Sequence, residues 1–102
     1  MAQRLELQTL LESLADNVYF QPPNNAEIKY PCIIYSRDAA KSEHADNTPH
    51  IFTWRYEVTI IDRDPDSVIP DLVAALPMCI FNRHFTADNL NHDVFNLYWK
   101  GM

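Results

Sequence analysis

Three features of this sequence predict an α+β fold: a mostly antiparallel sheet of four or five strands with a long β-hairpin, an N-terminal helix and a short helix in the second half. The first is a run over residues 51–64. There Phe52, Trp54, Tyr56, Val58 and Ile60 alternate with Thr53, Arg55, Glu57 and Thr59, and Ile51 and Ile61 are apolar exceptions at the ends. Alternation in mostly aromatic and β-branched residues marks a strand with one buried and one wet face. At about 3.3 Å per residue it spans about 40 Å, long for a small domain. The second feature is helical spacing near the start, where Leu7, Leu10, Leu11 and Leu14 share one face. The third is order: strands and helices do not alternate strictly, which favours an antiparallel sheet over a doubly wound one.

Taken from the N-terminus, residues 3–15 read as the first helix, with Arg4, Glu6, Gln8 and Glu12 on its polar side and Asp16-Asn17 at its end. Val18, Tyr19 and Phe20 form a short extended piece, expected as an edge strand covering the core. Gln21-Pro22-Pro23-Asn24-Asn25 is turn chemistry. Residues 28–35 read as the first solid strand, with Pro31 at its start or on an edge because it donates no ladder hydrogen bond. Both faces of this strand are apolar, so it is expected to be covered on both sides.

Residues 36–49 are the longest polar segment and read as the extended tip of a hairpin, a loop length that is commonly functional. Beyond the long strand, the alternating aspartates of Asp62-Arg63-Asp64-Pro65-Asp66-Ser67 raise a calcium-loop reading. It fails, because Ser67 and Val73 stand where an EF-hand needs Gly and Glu. Helix initiation is the better account: Asp64, Asp66 and Ser67 accept backbone N–H bonds, and Pro70 is tolerated in the first turn. Ile69, Leu72, Val73 and Leu76 then make an apolar helix face stopped by Pro77. Residues 78–85 and 91–99 read as a closing hairpin around Asp88-Asn89.

At 102 residues the chain is expected to be one domain. A formal charge of −6 and a pI near 4.9 exclude a protein held to nucleic acid by phosphate contacts, or to an anionic membrane surface. No apolar run reaches the roughly 18 residues of a membrane span, and the N-terminus lacks a signal-peptide apolar core, so synthesis in the cytoplasm is expected. Gly101 is the only glycine, which removes phosphate-cradling loops and dinucleotide fingerprints. Cys32 and Cys79 sit among apolar residues and read as buried thiols of a reducing compartment, a disulfide remaining open if their strands are neighbours.

No catalytic constellation is present, and no cofactor is expected. His84, Asp88, His92 and Asp93 have metal-ligand spacing only if helical, whereas Asp88-Asn89 and Asn91 argue for a turn that scatters them. His44 and His50 fall in or beside the polar segment and read as solvated. A Cys–His nucleophile pair has no support. The residues best placed to contact a subunit or partner are Arg37, Asp38, Lys41, Glu43 and Asp46 of the polar segment. Arg55, Glu57 and Arg63 along the long strand follow, because opposite charges there pair across a subunit boundary.

Four stretches carry a resemblance: Tyr30-Pro31-Cys32-Ile33-Ile34-Tyr35, the run from Tyr56-Glu57-Val58-Thr59 through Asp64-Pro65-Asp66-Ser67, Leu76-Pro77-Met78-Cys79, and Asp88-Asn89-Leu90-Asn91-His92-Asp93-Val94-Phe95. They resemble small structural proteins of the head–tail joining region of long-tailed bacteriophages, most closely the tail terminator (tail completion) group. The likeness spans most of the chain and consists of packing and turn motifs. It implies an α+β subunit that closes into a homo-hexameric ring on the end of the tail tube. The ring stops tube polymerisation and offers a surface to the head-completion or connector protein. It also implies a virion protein made in the host bacterial cytoplasm, with no enzymatic activity and no membrane contact. Six copies at −6 each carry about −36, so DNA is expected to pass an acidic lumen without sticking. The alternatives are a head-side neck protein of the same virion, or a small binding or regulatory module made metal-dependent by His84 and His92.

Overall fold

The computed structural model describes residues 3–23, 25, 27–45 and 48–99; for residues 3, 41–45 and 48–52 it describes the backbone alone. The elements are α1 (Gln3–Glu12), β1 (Val18–Phe20), β2 (Cys32–Ala45), β3 (Thr48–Asp62), α2 (Ile69–Ala74), β4 (Cys79–Ala87) and β5 (Leu90–Trp99). The strands form one five-stranded sheet in the order β1-β2-β3-β5-β4. All pairs are antiparallel except β1 with β2. The chain is α+β, as its pattern requires.

Both helices contribute to one face of the sheet. Leu7 and Leu11 of α1 and Val73 of α2 are buried with Ile33, Tyr35, Tyr56, Val58, Ile60, Phe95, Leu97 and Trp99. These are the alternate residues of β2, β3 and β5, so the period-2 reading of the long strand holds. Under α1, the Tyr35 hydroxyl donates to Gln8 Oε1 and accepts from Arg4 Nη1 at 3.4 Å, so a buried phenol is satisfied by the helix that covers it. Arg4 also lies 4.4 Å from the centre of the Phe20 ring, which draws edge strand β1 into the cluster. The far face has its own smaller buried stripe of Cys32, Ile61 and Val94. Apolar residues on both sides of β2 thus have cover, as expected.

Helix α1 ends three residues before the expected limit. Ser13 and Leu14 donate back to the carbonyls of Leu10 and Leu11 at 3.0 and 2.9 Å, a tightened last turn. The start of β2 also moves: it begins at Cys32, directly after Pro31, and residues 28–31 lie outside the ladder.

The main correction concerns residues 36–49. Residues 36–45 and 48–49 are strand and not an irregular tip, β2 running on to Ala45 and β3 beginning at Thr48, while residues 46 and 47 lie outside the described residues. Ala40 pairs with Trp54, Lys41 with Thr53, Ser42 with Phe52 and Glu43 with Ile51. Ladder bonding is between backbones and needs no apolar side chains, and two register shifts absorb the irregular spacing. Among the described residues β5 pairs no further out than Trp54 and β1 no further than Tyr35, so the outer part of this hairpin is a two-stranded ribbon beyond the sheet. The molecule is accordingly drawn out to 52 × 24 × 23 Å. Its radius of gyration is 14.7 Å, against about 13 Å for a compact chain of this length.

Before α2, Asp62 Oδ1 accepts from Asp64 N–H and Asp64 Oδ1 from Asp66 N–H, both at 2.9 Å, and Ser67 Oγ accepts from Ile69 N–H at 3.3 Å. The aspartates therefore shape the turn into the helix and Ser67 supports its start, with Pro70 in the first turn. Only part of the expected apolar face is used. Val73 is buried and Ile69 and Leu76 pack on the core, but Leu72 is 44% exposed. A six-residue helix turns too little to bring all four to the sheet. Asp88 and Asn89 both have positive φ (53° and 62°), a two-residue turn built without glycine because Asp and Asn tolerate that region.

Candidate functional site

The site that the fold singles out is the root of the ribbon, where β2 and β3 leave the support of the sheet. A register shift between Arg37 and Ala39 leaves Asp38 as the extra residue of a bulge. The bulge aims its carboxylate across β3: Arg55 donates to Asp38 through Nε at 3.0 Å and Nη2 at 3.1 Å, a bidentate pair. Asn96 of β5 donates to the same carboxylate at 3.4 Å. Three strands are thus clamped on one face. On the other, the Arg37 guanidinium lies 4.6 Å from the centre of Trp54 and 5.8 Å from that of Tyr56, and its Nε donates to the Tyr56 hydroxyl at 3.2 Å. The hydrogen bond to Asp38 raises the already high pKa of Arg55, so its guanidinium stays charged at every ordinary pH. A ribbon held on both faces at its base keeps its direction, which a reaching arm requires.

Of the residues expected to face a partner, Asp38, Arg37 and Arg55 meet at this root. Glu57 lies one step along β3 and has Arg83 of β4 at 3.9 Å. Arg55 and Glu57 thus have partners within their own chain, where the sequence reading paired them across a subunit boundary. The folded register brings Asp38 and Arg83 beside the long strand, and residue spacing does not reveal that. Arg63 is exposed in the turn after β3, away from the root, and its carbonyl accepts from Asn91 Nδ2 at 3.4 Å. Lys41 and Glu43 lie on the ribbon, their side chains outside the description, and Asp46 lies outside the described residues.

A second surface was missed in the sequence. Edge strand β4 is exposed along nearly its whole length, with Ile80 66%, Phe81 54% and Phe85 39% accessible. Cys79 packs against the core, but Phe81 lies edge-on to Phe95, centroids 5.4 Å apart, and Phe85 stacks on His92 at 4.5 Å. The signal was available in the consecutive apolar residues Met78, Cys79, Ile80 and Phe81, which do not alternate as a half-buried strand should.

The histidines are scattered by the same hairpin. His84 pairs with Asp93 across β4 and β5, Nδ1 to Oδ1 2.6 Å, and the next register position pairs Phe85 with His92. Adjacent positions point to opposite faces, so His84 and His92 do not converge on one ion. Among the described residues no group of three His, Cys, Asp or Glu side chains is placed to hold a metal.

Cys32 and Cys79 are both free thiols. Burial pushes the Cys32 thiol up to about 11 from 9.0, and burial also raises Cys79. A folded-state pKa above the unfolded value favours the folded protein fully below pH 9, and that contribution fades as pH rises towards 11. Melting followed across this range should show wild type losing on the order of 2 kcal/mol more than Cys32→Ala. Parallel curves for the two proteins would contradict the buried-thiol assignment.

Among the described residues no helix is long and apolar enough to cross a membrane. A scan against protein-family models and a search of curated proteins both return no match for this chain.

Proposed function

We propose that this chain is a structural subunit that works through protein–protein contact, and specifically a tail terminator of a long-tailed bacteriophage. The observation that supports it best is the ribbon of β2 and β3, which among the described residues extends past every other strand of its own sheet and is braced at its root. Paired strands with no core of their own are marginal in water, so a ribbon of this length is expected to find its stabilising contacts on a neighbour. In this reading the subunits close into a ring, a hexamer, through contacts between different patches. One face of the ring meets the tail-tube protein and the other the head-completion or connector protein, at the head–tail junction of the virion. DNA passes through an acidic lumen, and the protein carries no catalytic group and no cofactor.

Two measurements test this. Light scattering on the purified chain should give a ring-sized mass, and electron microscopy of tail tubes mixed with it should show capped ends. A particle that stays monomeric at high concentration and ignores tube ends would overturn the proposal. A ring that binds only head-side connectors would move it to the other side of the joint.

A further inference from the structure

We infer that the exposed edge of β4 is the docking site for a second copy of this chain, whose ribbon edge, β2 from Asp38 to Ala45, pairs with it head to tail. The inference rests on the assembly reading above and names the surfaces it would use. Among the described residues the sheet has an open edge at each border. On one side it is the nine-residue β4. On the other it is the part of β2 that continues past its pairing with β1, which ends at Tyr35.

Topology matches the two edges. β2, β3, β5 and β4 are successively antiparallel, so β4 runs opposite to β2. A copy added to the border without inversion therefore places its β2 antiparallel to β4, the geometry a ladder needs. β1 blocks the inner part of β2, so the incoming strand has to pair along the ribbon. That is the part that reaches beyond its own sheet.

Shape and charge point the same way. β4 offers bulky Ile80, Phe81 and Phe85, and the ribbon edge answers with Ala39 and Ala40. β4 carries Arg83 and His84 and no acid, within a chain of net charge −6. An acidic copy suits that strand, whereas two β4 strands paired antiparallel about their midpoint set Arg83 against Arg83. Only a bulge at Asn82 and the charge of Arg83 protect the open edge of β4; with no proline and with Ile80, Phe81 and Phe85 exposed, it is an aggregation hazard while uncovered. A head-to-tail contact that closes into a ring removes the hazard on every subunit.

The test uses two variants with lysines on one edge each, Ile80→Lys/Phe85→Lys on β4 and Ala40→Lys/Ser42→Lys on the ribbon. Each alone should stay monomeric at concentrations at least a hundredfold above those at which wild type assembles, and its melting curve should match that of wild type diluted to monomer. Mixed in equal amounts, they should form a one-to-one dimer and stop, since each retains one intact edge. A variant that still makes rings, or a mixture that remains monomeric, overturns the inference while wild-type rings leave the assembly reading standing. A β4 variant that keeps its ring but no longer caps tail tubes would assign the edge to the tube protein instead. Hydrogen exchange on wild type gives a check that needs no substitution: assembly should protect residues 79–87 and 38–45 together, and protection of only one of them counts against the pairing. Monomeric wild type at every concentration would remove the assembly reading and this inference with it.

Discussion

A chain carrying both Leu7→Ala and Leu11→Ala is expected to be largely unfolded at physiological temperature. Both residues are fully buried and lie on the one helix that covers Tyr35 and the adjoining strands. Each truncation costs about 2–5 kcal/mol, because the lost contacts add to the cavity left behind. A domain of this length has about 5–15 kcal/mol in total, so the pair removes most or all of it. Alanine is a good helix former, so the loss comes from packing and not from helix propensity. Leu5→Ala, on the same helix but 52% exposed, should stay within about 1 kcal/mol of wild type in urea titrations. A double variant that melts cooperatively within a few degrees of wild type would mean that α1 is not the lid of this core.

That contrast also shows what is legible in such a chain. Burial of side chains leaves a periodic trace, so the faces of α1 and β3, the edge position of β1 and the Asp88-Asn89 turn could be read from residue order. Backbone pairing leaves no such trace where side chains are polar. Residues 36–45 look like a loop because Arg37, Asp38, Lys41, Ser42 and Glu43 are polar and follow no period-2 pattern, yet each residue from Ala39 to Glu43 has a ladder partner on β3. Exposure at a border is hidden for the converse reason. Ile80 and Phe81 look like core, but β4 is the sheet edge, where Ile80 pairs with Asn96 on the face away from the helices and Phe81 meets only the border of the core, so both stay in solvent. Charge pairing is a third case: Arg55 and Glu57 were visible as outward charges, but Asp38 and Arg83 come beside them only through a bulge and a second hairpin. The two surfaces proposed for assembly are thus the two that hydrophobic periodicity reports worst. The family resemblance, carried by turn and packing motifs, points to assembly without marking either.

Replacing residues 42–52 with Asn-Gly should separate fold from assembly. Lys41 and Thr53 are cross-strand partners, and Asn-Gly closes such a pair in a tight turn whose twist suits the strands. Every member of the core cluster described above, and everything from the Asp38–Arg55 clamp inwards, is retained. Against wild type diluted to monomer, circular dichroism and melting should therefore stay within about 1 kcal/mol, the range of a surface change. Assembly is another matter. If the arm seats on a neighbouring subunit, its removal deletes one side of every contact in a closed ring, and a weakening of at least about a hundredfold, or 2.7 kcal/mol, is the least expected at each. Because a ring multiplies that loss over all its joints, scattering should report monomer throughout the range where wild type is assembled, and tail tubes should remain uncapped. The shortened chain is the sharper of the two tests, since it keeps the core intact and asks only whether the ribbon was made for a neighbour. Normal rings from a folded, shortened protein would show that the ribbon contributes nothing to the joint.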